Sequence, residues 1–196
     1  MSAPNIAAAI KKNVDELIRL QTRVLPVKVG RTVQASIREN FRKGRFYNGQ
    51  PWQTPLRTDL GFHGAIGQYG PLLSGSNHLM MSTDYVPMPG RVLIRNNEIY
   101  APVHNDGASI TVTSKMKKYF WARQIESRRR FGDESPEASF WRNMALKKPG
   151  SSIRIPQRHF LGPSPEVDRI VKGIIDAELQ NFIKNIENGK ITPGSH

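Results

Sequence analysis

Apolar residues recur at helical spacing along much of this chain, most clearly near its C-terminal end. Val167, Ile170, Val171, Ile174, Ile175, Leu179, Phe182, Ile183 and Ile186 fall on one face of a helix for about five turns. Ser164 supplies an N-cap, Pro165 suits the first helical position, and Glu166 and Asp168 place negative charge at the positive end of the dipole. Asn188-Gly189 is the stop signal. Full burial of this face would contribute about 15–25 kcal/mol before entropy. Just upstream, Ile153 and Ile155 flank Arg154 with the period of a half-buried strand over Ser151 to Ile155.

The N-terminal part is helical by the same criterion. Pro4 to Thr22 carries Ile10, Val14, Leu17 and Ile18 on one face. Pro26 then opens a segment with Val29, Val33, Ile37 and Phe41 every fourth residue, ending near Gly44. The two are antiparallel neighbours or one helix bent at Pro26. From Gly44 to Gly75 the pattern dissolves, with Gly61, Gly64, Gly67 and Gly70 every third residue; this reads as a loop that orders on assembly, with Trp52 anchoring it to the core. Leu79 to Val86 and Arg91 to Arg95 read as strands joined by Pro87-Met88-Pro89-Gly90, Ile99 starts a further short strand, and Tyr100 to Gly107 forms a half-helical corner. Ile110 to Thr113 reads as another strand. Its expected partner is Ser151 to Ile155, the two forming the base of a helical excursion with helices over Lys115 to Arg130 and Pro136 to Lys147.

Charge sharpens this picture. The chain of 196 residues carries a formal net charge of +13. Ser114 to Ser151 holds ten Lys or Arg against four acids, a balance of +6. The excess is therefore concentrated on the excursion, where Lys115, Lys117, Lys118, Arg123, Arg128, Arg129 and Arg130 are the candidate contacts for an acidic protein or for DNA. There is no cysteine, which excludes disulfides and thiolate chemistry. No apolar run reaches the roughly 18 residues of a membrane span, and Lys11 and Lys12 interrupt the only N-terminal apolar block. These features describe a single domain over 1–196: helices to 44, a Gly-rich region over 45–78, strands over 79–113, the basic insertion over 114–151, then strand and helix over 152–188.

Catalytic and metal signatures are absent. The histidines His63, His78, His104, His159 and His196 are scattered, without metal-ligand spacing. His104 and Asp106 are spaced as a base and its orienting carboxylate would be, but no nucleophile motif accompanies them. No catalytic residue, metal or cofactor is assigned.

Four short motifs in order resemble the phage virion morphogenesis proteins, the Mu-type tail completion family. They are Phe46, Gly49, Pro51, Trp52, Pro55 and Leu56; then Leu72, Leu73, Gly75 and Leu79; then Ile99, Tyr100, Ala101, His104 and Gly107; and finally Ile155, Pro156, Arg158, Phe160, Leu161 and Gly162. The resemblance implies a structural role in completing the tail and joining it to the head. It also implies assembly with copies of itself, as a ring of six, and with tail-tube and head-connector proteins. DNA would pass through the lumen. The protein would reside in the virion, after assembly in the host cytoplasm. The Gly61 to Gly70 tract and the basic excursion depart from the family's shorter forms. The expected fold is α+β: a small, curved antiparallel sheet packed by the N-terminal helices and the long C-terminal helix, with the basic helical insertion set into it.

Overall fold

The computed structural model describes residues 3–188 and is α+β. The elements run α1 (Ala3–Arg19), a π-helical turn (Leu20–Val24), α2 (Leu25–Lys43), α3 (Leu56–Asp59), α4 (Ala65–Gln68), α5 (His78–Met81), β1 (Thr83–Met88) and β2 (Arg91–Asn96). They continue with α6 (Ala101–Asp106), β3 (Ala108–Thr111), α7 (Ser114–Phe131), α8 (Pro136–Leu146), β4 (Ser152–Ile155) and α9 (Pro165–Glu187). The strands form two separate two-stranded antiparallel ladders, β1–β2 and β3–β4. The chain groups into two compact units. One takes the N-terminal stretch through Ile37, Thr83–Arg95 and the chain from Gly162 onward; the other takes Arg38–Ser82 and Asn96–Leu161.

In the first unit the N-terminal pattern resolves as one uninterrupted helical path. Leu25 donates its amide to the Leu20 carbonyl across a π turn. On a regular helix the row Ile10, Val14 and Leu17 would be badly out of phase with Val29, Val33 and Ile37. One extra residue in a wide turn removes about 100° of that mismatch. The turn thereby sets both apolar rows toward a common side, and Pro26 sits harmlessly just beyond it. Val29, Val33 and Ile37 are buried. The β1–β2 hairpin lies over this stretch: Gln34 donates to the Thr83 carbonyl at 2.9 Å, and a Cβ on Gly30 would come within 2.2 Å of the Tyr85 ring.

α9 belongs to the same unit. Ser164 caps it by accepting from the Val167 amide, Lys28 pairs with Glu178 at 2.6 Å, and Asn188 ends it; Gly189 lies outside the described residues. However, none of its residues is fully buried. The 15–25 kcal/mol expected of that face is not realised, because its apolar row is covered only in part and Ile183 and Ile186 stay exposed.

The core of the second unit is aromatic. Phe41 and Phe160 are fully buried, their ring centroids 5.0 Å apart, and Trp52 meets Phe41 edge-on at 5.7 Å. β3 and β4 pair antiparallel with Ile110 opposite Ile153, so the expected base of the excursion forms. The bounds of the first strand are shifted, since it begins at Ala108 and Thr113 turns instead into the N-cap of α7. Val112 continues the pairing through Ser151 and Gly150. Above this base, α7 and α8 pack together around Phe120, Ala138 and Ala145.

Two strand expectations fail. Leu79 to Ser82 is not extended: Leu79 and Met80 are both buried. Adjacent residues in a strand point to opposite faces, whereas a helical turn can bury both. Ile99 starts no strand and is 94% exposed. The Asn96 side chain accepts from the Glu98 amide and donates to the Leu79 carbonyl, a local turn that replaces ladder bonding.

Candidate functional site

The four motif segments meet in the second unit, apart from Gly162, which is grouped with the first. Gly49 closes a tight turn with its amide on the Phe46 carbonyl, and a Cβ there would lie 2.8 Å from that oxygen. Trp52 is buried and donates its indole N–H to the His159 carbonyl at 2.9 Å. Ala101 is buried while Tyr100 is 37% exposed. Gly107 has φ +75°, and a Cβ would stand 3.0 Å from the Gln157 nitrogen. Gly75 comes under the Tyr69 hydroxyl, 3.3 Å from where a Cβ would be.

Three residues outside the expected set tie these pieces together. Asn105 Oδ1 accepts from the amides of both Phe160 and Leu161 at 2.9 Å, while the Arg158 amide donates to the His104 carbonyl at 2.8 Å. Arg57 organises the glycine-rich segment: its Nε donates to the Ile66 carbonyl, and its Nη2 to those of Tyr69, Gly70 and Leu73. Glu137, from α8, receives the His63 amide and the His63 ring, Nδ1 to Oε2 being 2.9 Å. His63 stacks on Phe131 at 4.8 Å. Each link joins positions distant in sequence, so no local pattern marks it.

Around these residues lie two adjoining cavities. One, of about 250 Å³, is lined by Leu72, Leu73, Ser74, Leu79 and Tyr100 together with Pro55, Arg57, His104 and Arg158. Those last four also line a larger groove of about 830 Å³, whose remaining wall is mostly apolar: Leu56, Phe62, Ile66, Phe140, Trp141 and Ile153 among others. Arg154 lines the groove as well, and among the described residues neither cavity has an acidic wall residue. Arg158 is only 8% exposed. Burial lowers its guanidinium below the ordinary arginine value, and the charge of Arg57 pushes the same way. Burial also lowers Arg57. His104 is held below the ordinary imidazole value by burial and then by Arg158, and its buried Nδ1 has no partner among the described residues. Asp106 does not orient that ring; its Oδ1 accepts from Asn105 instead.

The model of the phage virion morphogenesis family matches residues 6–180, a span that takes in all four motif segments. The chain belongs to that family. No curated protein and no solved structure matches it. Membership gives a role in building the phage particle and a virion association. No described helix of this morphogenesis protein is long and apolar enough to cross a membrane. Among the described residues, no group of His, Asp or Glu could hold a metal ion.

The basic insertion of this family member divides by exposure. Lys115, Lys118, Arg128, Arg129 and Arg130 face solvent, whereas Lys117 and Arg123 are half-buried. Arg123 pairs with Glu126 and lies 5.7 Å from the Trp141 ring centre. Arg128 pairs with Asp133 at 3.3 Å.

Proposed function

We propose that this morphogenesis protein acts in tail completion and head-tail joining, as a ring of its own copies seated between tail-tube and head-connector proteins. The observation that carries this reading is the apolar row of α1. Ile6, Ile10, Val14, Leu17 and Ile18 are all 41–59% exposed. Fully burying one such side chain is worth about 1.5–3 kcal/mol, a gain the isolated chain forgoes. An exposed row of this kind suits contacts between subunits. The test is sedimentation velocity of the protein alone, followed by electron microscopy of the protein mixed with tail tubes and connector. Closed oligomers or capped tubes are expected. Persistent monomers, with tubes left bare, would overturn the reading.

A second reading rests on the solvent-facing bases of α7: sequence-independent contact with DNA. Duplex affinity would then fall with salt by about 0.9 log units per log unit for each phosphate neutralised. Replacing Arg128, Arg129 and Arg130 with glutamine would flatten that slope. An unchanged slope removes α7 from the interface.

A further inference from the structure

The two cavities that share Pro55, Arg57, His104 and Arg158 form a site of defined chemistry. Positive charge is built into it and left without a counterion. None of the ion pairs among the described residues includes Arg57 or Arg158. An unpaired buried charge is costly, and a charge from outside removes that cost.

Both guanidiniums are also held in place beforehand. Arg57 is fixed through Nε and Nη2 by four backbone carbonyls, leaving Nη1 without a partner among the described residues. Arg158 is fixed through Nε by the Gln53 carbonyl at 3.0 Å, leaving both of its Nη groups. His104 adds a buried ring nitrogen with no partner. Donors immobilised before a ligand arrives reduce the entropy lost on binding. The planar guanidinium fork matches a carboxylate.

We propose that this cavity is a carboxylate-binding site for an acidic residue carried on an apolar segment of a partner protein. The carboxylate sits against Arg57 and Arg158, and neighbouring apolar side chains occupy the groove along Leu56, Phe62, Ile66, Phe140 and Trp141. Charge complementarity selects the acid. The apolar wall selects a protein segment over a nucleic-acid backbone, whose phosphates offer nothing to that surface. The inference rests on the assembly reading only in that it names the chemistry of the partner.

The experiment follows the Arg Nε–Hε resonances of the full-length protein during titration with an acetylated, amidated Leu-Phe-Asp-Leu peptide and with its Asn twin. Saturable shifts at Arg57 and Arg158 are expected with the Asp peptide, and at least tenfold weaker binding with the twin. Leu56→Glu, at an exposed position on the groove wall, is expected to abolish binding without loss of fold. Equal binding of the two peptides, or no shift with either, overturns the proposal. So does inorganic phosphate or a DNA duplex that shifts the same resonances and displaces the Asp peptide. Tube capping is scored separately. Capping without peptide binding sinks the pocket alone, and peptide binding without capping sinks the assembly reading.

Discussion

The indole N–H of Trp52 donates to the carbonyl of His159 at 2.9 Å, across 107 positions of sequence. Its ring meanwhile packs edge-on against Phe41, which in turn contacts Phe160. One side chain thus ties the irregular segment after α2 to the segment after β4 by a polar contact and to α2 itself by an apolar one. Trp52→Phe keeps an aromatic ring, though a smaller one, and loses the bond, for an expected cost of about 1–3 kcal/mol. Trp52→Ala loses both and is expected to cost about 3–5 kcal/mol. Urea unfolding of the two variants checks the order; equal losses would mean the packing carries nothing.

Asn105 is the second fastener. Its Oδ1 is the acceptor for two consecutive amides, those of Phe160 and Leu161. Asn105→Ala leaves both without that acceptor and is expected to cost about 1–3 kcal/mol. Hydrogen exchange at those two amides is expected to accelerate beyond the global change. Unchanged protection at both sites would show that the bonds contribute nothing.

Gly107 combines backbone strain with crowding, whereas Gly150 carries backbone strain alone. Both have positive φ, but a Cβ on Gly150 meets nothing within 4 Å, whereas one on Gly107 presses on the Gln157 backbone. Gly150→Ala is expected to cost about 1–2 kcal/mol, the left-handed penalty alone. Gly107→Ala is expected to cost clearly more, since the neighbour is main chain held close to the β3–β4 ladder. Thermal unfolding of the pair gives the comparison.

Glu137 predicts a pH dependence. Burial pushes its carboxyl up, but the hydrogen bonds from the His63 ring and amide outweigh that, and the net direction is down from the ordinary carboxylate value. A carboxyl lowered on folding stabilises above its unfolded value and loses that contribution as pH falls through the folded one. Glu137→Gln is therefore expected to be destabilised at neutral pH. Its deficit against the natural protein should hold down to the ordinary carboxylate value and shrink as the pH falls below it, through the lowered folded value. Denaturant midpoints across that range test it, and a deficit independent of pH would exclude the linkage.

What was legible in the sequence was what neighbouring residues decide. Ser164 caps α9, Ser151 to Ile155 holds its strand, and the alternation at Ile153 and Ile155 finds Ile110 and Ala108 across the ladder. The α7–α8 excursion follows from its spacing and its flanks. The misses have another character. Leu79 and Met80 are adjacent and both buried, which alternation cannot express. The π turn answers a phase mismatch between two helical rows, visible only when the rows are compared. Arg57, Asn105 and Glu137 matter through partners that other parts of the chain bring to them. For Glu137 the partner is 74 positions away. The motifs placed Arg158 at the site, but not the second guanidinium whose charge it feels.

Under the proposed assembly, the exposed row along α1 has a consequence for how copies of this protein would meet. Each carries +13, so at low ionic strength they repel over the screening length, about 30 Å at 0.01 M salt. At 0.15 M that length contracts to about 8 Å, while the attraction between aliphatic side chains is left intact. If the row seats one copy against another as proposed, added electrolyte favours that encounter, whereas it weakens any contact with a polyanion. The two kinds of encounter carry opposite ionic signatures.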